Sequence, residues 1–499
     1  MTTLHFRYPE GLIPVPLMAR SFFAGWGKVP FPSQVTFFDD ILSVQSEASG
    51  SGTFFFPWPH KRLGFLFLAT DTLCERERPY LLVKELARGQ LGRIIRRFIE
   101  MVYFGFKPSA KLRAMIRYEV SQLAKAATSD ENLPATELMA SQQLERLILL
   151  CHYLVDAFID QSLAFRQQVA KRFPVRVGLH ADAFLTENSD EQFQMYSDNF
   201  ADVFHLVNPT PPWKILEPEP DHYRWDIFEE RIRMVKKRGF VPLAGPILPF
   251  DQRLLPPWLA GRLDEPGVFE HFAFKYLDTF LEHFAERVDV WILASRINTP
   301  DIPFHSPGQI MGMVKKISWV FERHGLHQPG LMGVDQPWGD YLLHRNPPHS
   351  PRTPTALAEI LGSLPGIDGI LLDLNLGLSP RASYPRDPMV LSSMIDQWSS
   401  FGKPLYLSLG IPSELGADPD IPEEFVGFSL NWSKKTQQEW LHRYLPVILC
   451  KRSIEGIFWN MLEDSTAHDF PNIGLFDSVG RLKPAFQKLV SLRRAYIDG

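Results

Sequence analysis

The chain has 499 residues, 45% hydrophobic and 22% charged, a soluble globular composition and too long for one ordinary core. A formal net charge of −5 gives no basic field for nucleic acid and no polybasic handle for a membrane. The three cysteines, Cys74, Cys151 and Cys450, lie far apart among apolar neighbours, which predicts buried free thiols and no demand for an oxidising compartment.

The first residues, "MTTLHFRYPEGLIPVPLMARSFF", lack a basic stretch followed by an apolar one, and prolines interrupt them. No secretory signal is read there, and a cytoplasmic protein is expected. Residues 1–78 hold short strand-like runs, "QVTFF", "GTFFFPW" and "LGFLFLAT", separated by turn-forming residues, and are read as a β-rich region. From 79 to 171 the apolar spacing becomes helical. Arg88, Arg93, Arg96 and Arg97 fall on the polar side of the first helix, where a solvated face or ion pairs to the rest of the chain are expected. The most apolar stretch, 144–160, contains Glu145, Arg146, Asp156 and Asp160, so no membrane span is expected. An open apolar patch on the long helix over 135–170 would indicate an interaction surface.

Residues 172–499 repeat one unit. Nearly continuous apolar strands are predicted at 175–181, 203–208, 240–248, 288–295, 330–336, 366–375, 404–410 and 455–460, with amphipathic helices between them. Such strands, apolar on both faces and separated by helices, are parallel and covered. Eight strand–helix pairs predict an α/β fold, a (β/α)8 TIM barrel preceded by the β-rich and helical region. Barrel sites are built where the strands end. The polar residues there include His180, Asp182, Asn208, Ser295, Arg296, Asn298, Asp335, Asp373, Asn375, Ser408 and Asn460. Indoles with amides and carboxylates suit a sugar, whose CH face stacks while its hydroxyls bond directionally.

At these strand ends the sequence resembles the glycoside hydrolase family 10 barrels, the retaining β-1,4-xylanases. Trp213, Glu217, Pro218, Tyr223, Trp225 and Gly239 match the family's strand-2 pattern. Gly245, Gln252, Pro257 and Trp258 match its strand-3 pattern with one residue of slippage. "IFWNMLEDS" and "GLFDSVGRLKPAF" resemble its strand-8 segment through Trp459, Asp464, Leu475, Phe476, Asp477, Lys483, Pro484 and Ala485. The resemblance covers about 172–499 and implies a barrel acting on glycosidic bonds. It departs at the chemistry. The family's strand-4 Asn-Glu aligns with Ser295-Arg296, and its strand-7 Glu with Ser408. A retaining glycosidase needs two carboxyl groups roughly 5–5.5 Å apart, and neither a guanidinium nor a serine without a partnered base replaces them.

The expectation is therefore a carbohydrate-active barrel without the inherited carboxylate pair. Asp373 and Asp251 are the candidate catalytic acids of a rebuilt site. Trp213, Arg296, Asn298, Asp335, Trp338, Asn375, Trp459 and Asp464 are candidate substrate-binding residues. Arg296 could instead pair with Asp373 and make both structural. The alternatives are a non-catalytic carbohydrate-binding pseudoenzyme and an interaction or scaffold protein. An oligosaccharide is the expected partner, with no nucleic acid, no membrane and a possible homo-oligomer. No cofactor is implied. His324, His327, His344 and His349 lack metal-ligand spacing, and no metal is expected.

Overall fold

The computed structural model describes residues 2–8, 18, 20–25, 28–47, 50–60, 64–127, 134–181, 200–302, 307–343, 352–377, 382–414, 432–464, 470 and 472–498. The N-terminal β-region consists of β1 (Thr2–Arg7), β2 (Phe22–Ala24), β3 (Pro30–Phe31), β4 (Ser33–Phe38), β5 (Ile41–Ser46), β6 (Ser51–His60), β7 (Gly64–Cys74) and β8 (Tyr80–Leu81). They form two four-stranded sheets, ordered β4-β5-β1-β8 and β3-β2-β6-β7. The sheets meet through aromatic rings, with Phe6 of β1 stacked on Phe54 of β6 at 4.6 Å. Because β8 pairs with β1, this region runs to Leu81 and past the expected boundary at 78. Cys74, at the end of β7, is exposed rather than buried; Cys151 is buried and Cys450 partly so.

Three helices follow: α1 (Leu82–Tyr103), α2 (Ala110–Ala127) and α3 (Pro134–Val169). The long apolar segment is thus one helix. By length and composition it could cross a bilayer, but it packs on α1 and α2 and on two barrel helices. The arginine-rich α1 pairs with the barrel as expected. Arg93 holds Asp387 at 2.6 Å, and Arg97 holds Asp396 at 2.9 Å.

The barrel strands are β9 (Arg176–His180), β10 (Leu206–Asn208), β11 (Val241–Pro242), β12 (Leu248–Pro249), β13 (Trp291–Ser295), β14 (Gly330–Asp335), β15 (Gly369–Asn375), β16 (Leu405–Gly410) and β17 (Ile454–Trp459). All pair in parallel, in the order β11-β10-β9-β17-β16-β15-β14-β13-β12. The two end strands are pieces of one predicted strand, 240–248. The cis Gly245–Pro246 bond interrupts it, and Pro246 has no N–H to donate to a ladder. Between the pieces, Ala244 N–H donates to Val290 and Ile247 N–H to Ile292. β11 pairs with β10 and β12 with β13, so this interrupted third strand closes the sheet into the eight-position barrel. Helices α4 (Trp225–Lys237), α5 (Val268–Phe284), α6 (Pro307–Arg323), α7 (Pro354–Ser363), α8 (Pro388–Ser399), α9 (Lys434–Leu449) and α10 (Pro484–Arg493) follow the strands.

Leu206, Leu243, Ile292, Leu371, Tyr406 and Phe458 fill the barrel interior. Tyr406 fits because its neighbour is Gly456, where an added Cβ would come 2.4 Å from its ring. This packed layer is the floor on which the mouth is built.

Candidate functional site

Side chains alternate across a strand, so the residues two positions beyond the floor layer face the mouth. From Leu206 this gives Asn208, from Leu371 Asp373, and from Phe458 Asn460. A cavity of about 170 Å³ opens there, lined by these three with His180, Ser295, Arg296, Asp335 and Asn375 over Ile292 and Leu371.

Asn208 is fixed by four hydrogen bonds. Its Nδ2 donates to His180 Nδ1 (3.0 Å) and to Gly245 O (2.5 Å). Its Oδ1 accepts from Thr210 N–H and from Thr210 Oγ1 (2.8 Å). Since His180 Nδ1 accepts, the ring proton sits on Nε2, and burial lowers the imidazole to about 4, leaving it neutral. Asn460 Nδ2 donates to Asn375 Oδ1 (2.5 Å), and Asn460 Oδ1 accepts from Ser408.

Asp335 and Asp373 occupy paired register positions on β14 and β15. Asp373 is pushed up to about 7, first by burial and then by the charge of Asp335; a hydrogen bond with Ser408 and the charge of Arg296 pull the other way. Asp335 has partners of its own: Thr299 Oγ1 donates to its Oδ2 at 3.1 Å, and Arg296 Nε lies 4.0 Å from the same oxygen. Arg296 is reached through a turn in which its own φ is +59°, a conformation that costs a non-glycine residue energy and persists where surrounding contacts enforce it.

The sequence-predicted site residues separate into two groups. Arg296, Asp335, Asp373 and Asn375 line the cavity. Asp251 does not. Its carboxylate lies between Arg253 (2.6 Å) and Arg296 (2.7 Å) and caps a short helical turn through Arg253 N–H. Asn298 shapes the mouth from behind, exchanging hydrogen bonds with the Asp335 backbone (2.7 and 2.9 Å). The three indoles are packing residues rather than stacking platforms. Trp213 is buried, stacked on Tyr276 at 4.4 Å and bonded to Glu217. Trp459 faces the helices and donates to Ile473 O at 3.0 Å. Trp338 lies 5.1 Å from the Arg386 guanidinium, which also neighbours Phe22 and Phe67 of the N-terminal sheet. Asp464 forms a buried pair with Lys483 at 2.6 Å. Asp182, His344 and His349 lie outside the described residues, among which no group of three potential ligands could hold a metal.

His180, Asn208, Ser295 and Asn460 complete the lining. The signal that finds His180, Asn208 and Asn460 is the two-residue alternation: Asn460, not Trp459, shares the inward face with Phe458. Ser295 lies three positions beyond Ile292, where the register of β13 against β14 shifts.

No family model matches the sequence, and no curated protein does. Among solved structures, the chain is similar to xylanase 10B from Thermotoga petrophila RKU-1 in complex with xylobiose, at 15% identity and TM-score 0.47, covering 66% of this chain and 97% of that one. It is similar to native xylanase 10B from Thermotoga maritima at 14% identity and TM-score 0.47, covering 66% and 98%. It is also similar to the exo-β-1,4-mannosidase Op5Man5 from Opitutaceae bacterium strain TAV5, at 19% identity and TM-score 0.45, covering 64% and 59%. The barrel assignment stands on this chain's own strand register.

Proposed function

We propose that the barrel mouth binds one polyhydroxylated ring, the end unit of an oligosaccharide, so that the chain is a carbohydrate-binding barrel on a glycoside-hydrolase-like frame. The make-up of the cavity carries this reading. Neutral His180, Ser295, Asn375 and Asn460, with the Asp373 carboxyl, surround an apolar floor of Ile292 and Leu371. Hydroxyl groups need directional donors and acceptors, and the CH face of a ring needs an apolar seat. About 170 Å³ suits one ring rather than a length of polymer.

The arrangement also argues against two-carboxylate hydrolysis. That reaction places its acids on both sides of the scissile bond. Among the described residues, the two lining acids, Asp335 and Asp373, stand on neighbouring strands, while β9 and β10 contribute neutral His180 and Asn208 to the lining. A second reading, hydrolysis with Asp373 as proton donor, is favoured by one observation: its carboxyl, pushed up to about 7, holds a proton near neutral pH.

Calorimetric titration with mono- and disaccharides, run beside an aryl-glycoside turnover screen, tests both. Binding that Asp373→Ala weakens about tenfold, with no turnover, is the expected result. Turnover abolished by Asp373→Asn would replace binding with catalysis. No interaction with any sugar would end both readings.

A further inference from the structure

The overall negative charge hides a strongly uneven surface. Twelve of the sixteen large apolar side chains exposed among the described residues lie between Ile99 and Val169. At the end of α1, Tyr103 and Phe104 are 83% and 77% exposed, edge-to-face with each other at 5.3 Å, and lead into a Gly105 turn with φ +100°. Next in the chain comes α2. Lys111, Arg113, Arg117 and Lys125 on it are exposed, as is Lys107 just before it. The one acidic residue of α2, Glu119, is buried and taken up by Arg146 at 2.8 Å.

On α3, Glu145 accepts from Trp58 of β6 and Asp156 feels Arg443 and His442 of α9, while Asp156 and Asp160 are exposed. Between α2 and α3 lies an apolar pocket of about 460 Å³ lined by Met115, Tyr118, Leu149 and Leu150, with Lys111 and Arg146 at its edge. Contacts run along this face from the aromatic tip to the pocket. Lys107 and Gln161 exchange hydrogen bonds at 3.0 and 2.9 Å, and Lys111 sits 5.6 Å over the Tyr153 ring.

We infer that the α2–α3 face, with the Tyr103–Phe104 tip, docks on an anionic lipid surface. Apolar exposure on this scale marks an interaction site. A bilayer interface takes amphipathic aromatic rings at headgroup depth and basic side chains against its negative charge. The tip and α2 offer both, and the exposed charges of α2 are all basic. This is peripheral binding, since α3 stays packed on the barrel, and it departs from the sequence-based expectation of no membrane.

Co-sedimentation of the full chain with vesicles tests the inference. Binding to phosphatidylcholine–phosphatidylglycerol vesicles, absent with phosphatidylcholine alone and weakened by added salt, is expected. Lys111→Ala and Arg117→Ala should each weaken partitioning about fivefold, and Phe104→Ala about tenfold, with thermal melts confirming that each variant is folded. Equal binding to both vesicle types, no binding, or folded variants that bind like the parent would overturn it. A dimer seen by light scattering that these variants dissolve, with the protein left in the supernatant, would assign the face to a second copy and likewise overturn it.

Discussion

Asp335 and Asp373 are register partners on adjacent parallel strands, so two carboxyl groups stand side by side on one wall of the barrel mouth. Neighbouring strands are about 4.8 Å apart, and like charges at that spacing inside protein do not both ionise easily. The surroundings divide the roles. Thr299 and Arg296 hold Asp335, while Asp373 is pushed up to about 7. The unfolded value of an aspartate is about 3.9. Between that value and 7, the native protein keeps a proton that the unfolded chain has released. Stability therefore falls as pH rises through this window, by up to about 4 kcal/mol if the whole shift is realised. Asp373→Asn should flatten the slope between pH 4 and 7 and raise stability at pH 7.5. Urea denaturation across that range checks it; an unchanged slope would place the Asp373 carboxyl in water.

Asp251 is predicted to act on stability and on the placement of Arg296 rather than in chemistry. Its side chain is 2% exposed between two guanidiniums, Arg296 at 15% and Arg253 at 46%. Asp251→Ala frees Arg253 to solvent but leaves the Arg296 charge mostly buried beside Asp335. Breaking one member of such a pair costs about 3–5 kcal/mol. Chemical denaturation of Asp251→Ala should show a loss of that order, with a smaller loss in Asp251→Asn. A loss below about 1 kcal/mol would mean that the clamp contributes no more than a surface pair.

These predictions mark what the sequence could and could not convey. The eight barrel strands were legible because a covered parallel strand is apolar on both faces. β1, β2, β3, β5 and β8 are not legible in the sequence: β2, β3 and β8 have only three, two and two residues, and β5, "ILSVQS", is half polar. At the site, apolar runs mark the strand ends, but the chemistry of an indole does not reveal which face of the wall it takes. Trp459 and Asn460 are neighbours in sequence and point to opposite sides of the barrel wall. Asp251 and Asp373 look alike as strand-terminal acids. Only the fold reveals that two arginines enclose one and that the other opens on a cavity.

The Lys483–Asp464 pair offers a separate test of how buried charge behaves. Lys483 Nζ is 2.6 Å from Asp464 Oδ1, with side-chain exposures of 0% and 4%. Burial pushes Asp464 up and Lys483 down, and in each case it outweighs their mutual attraction. Lys483→Met alone leaves an unpaired buried carboxyl and should destabilise by about 3–5 kcal/mol, whereas Lys483→Met with Asp464→Leu should recover most of that loss. Equal destabilisation in the single and double variants would show that the pair's other contacts, Ser413 Oγ and Gly474 N–H, matter more than its charges.

Two glycines three residues apart on α1 should respond to alanine with opposite signs. At Gly89 an added Cβ would lie 2.2 Å from Ala69 O and 2.4 Å from the Thr70 carbonyl carbon. Those atoms belong to the backbone of β7, which cannot step aside without moving the helix off the sheet. Gly89→Ala should therefore destabilise by about 1–3 kcal/mol or more. At Gly92 the nearest atoms are Asp71 Oδ2 at 3.2 Å and Arg96 Nη1 at 3.3 Å, both ends of side chains that can shift. There alanine's helix preference should prevail, and Gly92→Ala should stabilise by about 0.5–1 kcal/mol. Thermal melts of the two variants decide the matter. Equal shifts of the same sign would show that helix propensity, and not the close approach of α1 to β7, sets the response at both positions.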